Sequence, residues 1–385
     1  MRLSPSWYDA VQERVRAGLA EAGLDALVLD DPLDVAYVTG FVHFPNERPV
    51  VAYVPREGDV LLLVPDLERE YAADQRARAV IVAYPEFPGE RSPFAVLRAA
   101  VGTDPGRAAY GPATSVGRAV ALGADFPATT WRVRDLVGRL RLRKTPEEIA
   151  LHVEAARIAD AMIDAGVALV TAGGGELPTE AELAAHVIRF GAELMHAEHA
   201  DVVVVPMLTG GLVYGGANSA QPHRLPGGDR LRRGEPFMLS LGCAVGGRFV
   251  ESERTFLLGG PTAEQRRYYE VVREAQETGT QGLRPGVRCA DANAGCLRVI
   301  RDAGLGEFIR HRQGHGIGLG FHEPPWIADG DDTVLEPGMI LSSEPGIYVP
   351  GHAGYRISDT VLVTEDGPRR LTAYPRDLPY VTIGA

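Results

Sequence analysis

The sequence predicts two domains, a smaller α/β domain over residues 1–140 and an α+β sheet domain over 141–385. Three observations carry that expectation. Up to about Leu140, helical periodicities alternate with short apolar runs, the texture of an α/β layer. At 143–149 a basic segment gives way to a helix-start signal, and beyond Asp201 short strands dominate, with amphipathic helices between them. A chain of 385 residues also exceeds one ordinary core.

Taken in order, Val11, Val15 and Leu19 share one face against Glu13, Arg14 and Arg16, so 7–22 should be a helix closed by Gly23. Asp25 to Leu29 reads as a buried strand. Val50 to Val54 and Val60 to Val64 read as two more, joined by the turn Pro55 to Asp59. Between them lies a polar-aromatic loop, Phe41 to Pro49. It is either a solvated connection or a segment whose Arg48 reaches a substrate pocket.

The boundary follows as Arg139-Leu140-Arg141-Leu142-Arg143-Lys144. Thr145 is then placed as an N-cap, Pro146 at the first helical position and Glu148 for a capping box. A long helix should run through Met162. Glycines 173 to 175 punctuate the chain, and a second helix spans Thr179 to Leu194. The later strands are read at Val202 to Pro206, Phe237 to Leu241, Arg254 to Leu258, Met339 to Ser342 and Thr360 to Val363. Helices open at Thr262-Ala263-Glu264-Gln265 and cover Cys289 to Ala303. Antiparallel strands with helices on one side leave a concave face free to bind something.

Composition narrows the function. A net charge of -12 argues against nucleic acid as a partner, because phosphate binding needs a basic face. Cys243, Cys289 and Cys296 form no C-x-x-C pair, so neither a thiolate zinc site nor a disulfide framework is expected. The first residues have no apolar leader core, and no run of eighteen apolar residues occurs, so neither export nor a membrane is expected. A cytoplasmic location is the expectation.

Polar chemistry concentrates at 311–323, where three of the ten histidines fall: His311, His315 and His322. Glycines at 314, 316, 318 and 320 cost conformational entropy, and suit a backbone that passes close to a ligand or turns sharply. The plain alternative is a glycine-rich surface loop.

The motifs beyond residue 140 resemble the pita-bread fold shared by Xaa-Pro aminopeptidases, prolidases and creatinase. The resemblance rests on Pro222-His223, Glu253-Arg254-Thr255, Gly314-His315-Gly316-Ile317-Gly318 with His322-Glu323, Gly338-Met339, Glu344-Pro345-Gly346-Ile347-Tyr348 and Gly354-Tyr355-Arg356-Ile357-Ser358-Asp359. The linker at 143–149 is similar too. In the peptidases, the resemblance implies, two divalent ions are held by Asp, Asp, His, Glu and Glu at positions 240, 251, 315, 344 and 358. This chain has Ser240, Glu251, His315, Glu344 and Ser358 there. Two anions are lost from a site that must balance two dications, so a dinuclear centre is not expected. Glu251, His315 and Glu344 are left to hold at most one ion of manganese, zinc or cobalt; the leading expectation is no cofactor.

Substrate-contacting positions are kept by resemblance: His223, His311, His322 and Arg356. Ser240, His223 and Glu253 match creatinase, which cleaves a C–N bond in a small zwitterion without metal. The leading expectation is therefore a metal-free, creatinase-like C–N hydrolase of a small charged amino-acid derivative or dipeptide. His223, Glu253, Glu344 and His322 would act in catalysis, and His311, Arg356, Glu251 and Arg48 would bind substrate. Glu251, Glu253 and Glu344 in one pocket would share a proton or grip a cation. Arg356 would clamp a substrate carboxylate, or pair with Asp359 or a strand-edge carboxylate. His223 would exchange a proton with water and the leaving nitrogen. Two alternatives stand beside this: a prolidase-like dipeptidase using one divalent ion, and a catalytically silent peptide-binding protein. The resemblance also implies a homodimer.

Overall fold

The computed structural model describes residues 1–86, 89–172, 176–205 and 208–384. They fall into two compact units, Leu3–Arg141 and Leu142–Ala385 together with Met1–Arg2. Met1 and Arg2 join the larger unit because the terminal ammonium donates to the Asp201 carbonyl and Arg2 pairs with the Asp201 carboxylate at 2.6 Å.

In the smaller unit Ser4 caps helix α1 (Pro5–Ala22) and Gly23 ends it in the left-handed conformation. There follow β1 (Ala26–Leu29), α2 (Pro32–Thr39), β2 (Val51–Pro55), β3 (Leu61–Pro65), α3 (Arg69–Asp74), β4 (Val80–Tyr84) and α4 (Pro93–Val101). The unit ends with β5 (Arg107–Tyr110), α5 (Val116–Asp125), β6 (Thr130–Val133) and α6 (Val137–Arg141). The six strands form a mixed sheet in the order β4-β3-β2-β1-β5-β6. Ala26, Val28, Val51, Leu63 and Ala108 on its strands pack against Phe94, Leu97, Leu122 and Phe126 of the helical layer.

The larger unit opens with α7 (Pro146–Ala172) and α8 (Glu180–Glu198). Helix α7 runs ten residues past Met162 because Ile163, Gly166 and Val170 continue its buried face. The glycine run at 173–175 lies outside the described residues. Of the strand read at 202–206, only an isolated bridge from Val204 to Val245 forms, and Pro206 lies outside the described residues. Then come β7 (Gly210–Gly215), β8 (Pro236–Val245), β9 (Arg248–Leu258), α9 (Ala263–Gly282), α10 (Cys289–Asp302), β10 (Gly314–Gly316), β11 (Glu323–Ile327) and β12 (Ile340–Ser343). The chain finishes with β13 (Gly346–Val349), β14 (Ala353–Arg356), β15 (Ser358–Thr364), β16 (Gly367–Arg370), α11 (Leu378–Val381) and β17 (Thr382–Ile383).

Seven strands run as β11-β10-β12-β15-β9-β8-β7, with β16 and β17 paired to β15 and β9. Strand β9 is buried along its whole length, which is why its charged residues must find partners or a ligand. Two glycine-rich segments are strands. Gly210–Gly215 pairs with β8 along its length. Gly314 and Gly316 allow backbone to meet backbone: a Cβ at either would lie 2.2 Å from the carbonyl oxygen of Ser342 or Pro324. What those glycines admit is the neighbouring chain, not a ligand. No helix among the described residues is long and apolar enough to cross a membrane.

Candidate active site

Sheet register assembles the site. Ser240 on β8 faces Glu253 on β9, and Glu253 in turn faces Ser358 on β15. Side chains alternate along a strand, so Glu251, two residues before Glu253, joins the same face. His315 sits in β10, and Glu344 follows β12 directly. A backbone bond from the Glu344 N–H to the Gln313 carbonyl, 2.8 Å, ties those two segments together.

Glu251, His315 and Glu344 offer three ligand atoms within 4.8 Å of one another. His315 is fully buried. Its Nδ1 donates to the Gly316 carbonyl at 3.0 Å, which turns Nε2 toward the carboxylates. Nε2 lies 3.1 Å from Glu344 Oε1 and 3.8 Å from Glu251 Oε2, yet is aligned for a hydrogen bond to neither. A buried nitrogen oriented by its other ring N–H, with two carboxylates converging on it, is the donor set of a divalent transition-metal site. The residues present fit such an ion.

The electrostatics say the same. Burial, and then the Glu344 charge, push Glu251 up to about 8. Burial opposes ionisation of His315, but the nearness of Glu344 and the two carboxylate charges outweigh it and raise the imidazole to about 9. That imidazolium in turn outweighs the burial of Glu344 and holds it well below the usual carboxylate range. With protons as the only cations, one is retained on His315 and another is drawn to Glu251. An ion would displace them.

Positions 240 and 358 carry hydroxyls that already donate to carboxylates. Ser240 Oγ donates to Glu253, and Ser358 Oγ to Glu251 Oε1 at 2.7 Å. Arg356 closes on Glu253 with Nε, and with Nη2 at 3.0 Å. It also donates to Ser240 Oγ at 2.8 Å and to the Tyr348 hydroxyl at 3.1 Å. The Tyr348 hydroxyl lies 2.7 Å from His311 Nε2, and His311 Nδ1 lies 2.7 Å from the Arg312 carbonyl. One consistent set of donors runs from Arg356 through Tyr348 and His311 to that carbonyl.

These contacts revise several expectations. Arg356 has four N–H bonds committed inside the protein, so it holds Glu253 and is not a free clamp for a substrate carboxylate. Its alternative partner, Asp359, belongs instead to Arg254 at 2.7 Å, both fully buried. Glu253 has its charge answered by Arg356 and so is not open to grip a substrate cation. His322 lies against His315 with ring centroids 3.9 Å apart and the planes tilted by 43°; burial and then the neighbouring imidazole push it down to about 4. His223 is exposed on the segment after β7. Arg48 pairs with Glu86 and Glu47 of its own unit. Tyr348 was given no role from sequence, although it lay in a quoted motif; its place four residues after Glu344 was the available signal.

Residues 150–365 match the model of metallopeptidase family M24, and residues 12–142 match that of the creatinase/prolidase N-terminal domain. An Xaa-Pro dipeptidase of Lactobacillus helveticus is 31% identical over 96% of this chain and 99% of its own. Among solved structures, an Xaa-Pro dipeptidase from Bacillus anthracis superposes with a TM-score of 0.82 at 27% identity, over 98% of this chain and 100% of that one. Dipeptidase PepE from Mycobacterium ulcerans gives a TM-score of 0.83 at 27% identity, with all of both chains covered. The expected pita-bread fold with its creatinase-type N-terminal domain is the fold these relatives share. The metal-free, creatinase-like expectation is corrected: the relatives are named dipeptidases, the matched family is one of metallopeptidases, and the buried triad fits an ion. The physical reason is Arg356, which fills with the protein's own guanidinium the place a substrate cation would need.

Proposed function

The chain belongs to metallopeptidase family M24, a family of hydrolases that cleave C–N bonds, and from that premise we propose that it is a divalent-metal-dependent dipeptidase acting on Xaa-Pro dipeptides. The observation that carries this reading is His315 Nε2, buried, without a hydrogen-bond partner and flanked by Glu251 and Glu344. Those three residues would hold the ion, whose chemistry is Lewis-acid polarisation of the scissile carbonyl. His322, held neutral at physiological pH, presents a ring nitrogen beside them for hydrogen bonding to the substrate. His223 exchanges a proton with the leaving nitrogen; its exposure lets it meet a substrate and bulk water in turn. Arg356 and Tyr348 keep Glu253 and His311 in place, and act by positioning.

The test is hydrolysis of a panel of Xaa-Pro dipeptides and N-substituted amino acids by chelator-treated protein resupplied with manganese, zinc or cobalt. Turnover of proline dipeptides should vanish with chelator and return with metal. Equal turnover in chelator, or turnover confined to the N-substituted amino acids, overturns the proposal. A complete lack of turnover would favour the silent peptide-binding alternative. We also propose a cytoplasmic homodimer, supported by the resemblance and by three free, buried cysteines; light scattering checks the assembly.

A further inference from the structure

Ser240, Glu253 and Ser358 form one row across three adjacent strands. The peptidase pattern has carboxylates at the two ends of that row. Here the ends are hydroxyls, and the carboxylate stands in the middle. Arg356 grips both oxygens of Glu253 and donates to Ser240 as well. Arg356 and Glu253 are 4% and 5% exposed, so water does little to screen either charge.

A dication placed between Ser240 and Ser358 would meet two neutral hydroxyls, both already donating, and a fixed guanidinium 2.8 Å from the first. Charge decides the matter. Glu251, Glu253 and Glu344 carry three negative charges when ionised, and one guanidinium with one dication carries three positive ones. A second dication would leave a buried excess of two, which the fold has no anion to meet.

We infer that the neutral Arg356–Glu253 pair, with hydroxyls at Ser240 and Ser358, closes the second ion's place, so that the centre takes one divalent ion, at Glu251, His315 and Glu344. This rests on the metal-dependent reading above. Arg356 is then a positioning residue whose removal changes how many ions bind, an effect that a merely structural arginine would not have.

Calorimetric titration of the chelator-treated full chain with Mn2+, checked by elemental analysis, should show one ion per chain. Arg356→Gln leaves Glu253 unanswered and should admit a second, weaker Mn2+. Arg356→Gln with Glu253→Gln removes both charges and should restore one. Should Arg356→Gln not fold, Glu253→Gln gives an independent readout: the guanidinium, left uncompensated, should weaken the single Mn2+ by about tenfold. Two ions on the unsubstituted chain overturn the inference. So does a folded Arg356→Gln that still binds one, or an unchanged affinity in Glu253→Gln. No ion at all on the unsubstituted chain overturns the metal-dependent reading itself, and this inference with it.

Discussion

Among the described residues, two groups of one histidine and two glutamates offer the donors of a metal site: Glu251, His315 and Glu344 on the central sheet, and Glu154, Glu198 and His199 along α7 and α8. Their spacing is alike and their surroundings are opposite. In the second group Arg157 already bonds Glu154 and Glu198, and His199 Nε2 bonds Glu154 at 2.7 Å, so the carboxylate charges and the imidazole nitrogen nearest them have partners. Glu198 is 40% exposed on its side chain, where water competes with any ion. In the first group the histidine is sealed from water and its nitrogen has no bond. What distinguishes a site from a cluster is not the ligand count but the donor left unsatisfied.

That contrast breaks most sharply on the two histidines. His315→Ala should abolish turnover and lower ion affinity by more than ~100-fold, since even residues that only support a ligand cost that order. His199→Ala should leave both unchanged. Equal loss from the two variants, read by calorimetry and dipeptide hydrolysis, would erase the distinction.

A second test lies within α7, where His152 faces inward and Glu154 outward. Burial, then the charges of Lys144 and Arg248, push His152 from 6.5 down to about 3. Folding therefore favours its neutral form. This stabilisation is complete above pH 6.5 and is lost as pH falls toward 3, at about 1.4 kcal/mol per pH unit. Thermal unfolding of His152→Gln should lose that part of the acid slope; an unchanged slope would refute it.

Smaller again is Tyr348→Phe, which removes the link between Arg356 and His311 and should cost about 1 kcal/mol. Its effect should fall on turnover, with the number of bound ions unchanged. At the outer cluster Glu198→Gln should change stability by less than about 1 kcal/mol, the usual worth of an exposed pair. A larger loss would show that the cluster is more than a solvated ion pair.

Much of this was legible in the chain. Gly23, Thr145, Thr179 and Thr262 mark helix ends by local chemistry that needs no partner far away. Glu251, His315 and Glu344 stood out as donors through the family resemblance. What stayed hidden depended on register and reach. Nothing local says that Glu253 faces Ser240 across a ladder, or that Arg356 comes back to it over 103 residues. Without that pair, Glu253 looked like a free grip for a substrate cation; the metal-free expectation came from the serines at 240 and 358 and the likeness to creatinase. The glycines of β10 misled for a related reason, because close approach of two backbones leaves the same mark as close approach to a ligand.

The facing of Ser240 and Glu253 has a further consequence. Moving a carboxylate from one to the other carries it to the neighbouring strand, a single interstrand step of ~4.8 Å, with no change of face or core. Ion chemistry in this sheet can thus be retuned by paired exchanges along one rung. Such exchanges should be strongly coupled, each harmful alone and tolerated together, while the surrounding architecture stays as it is.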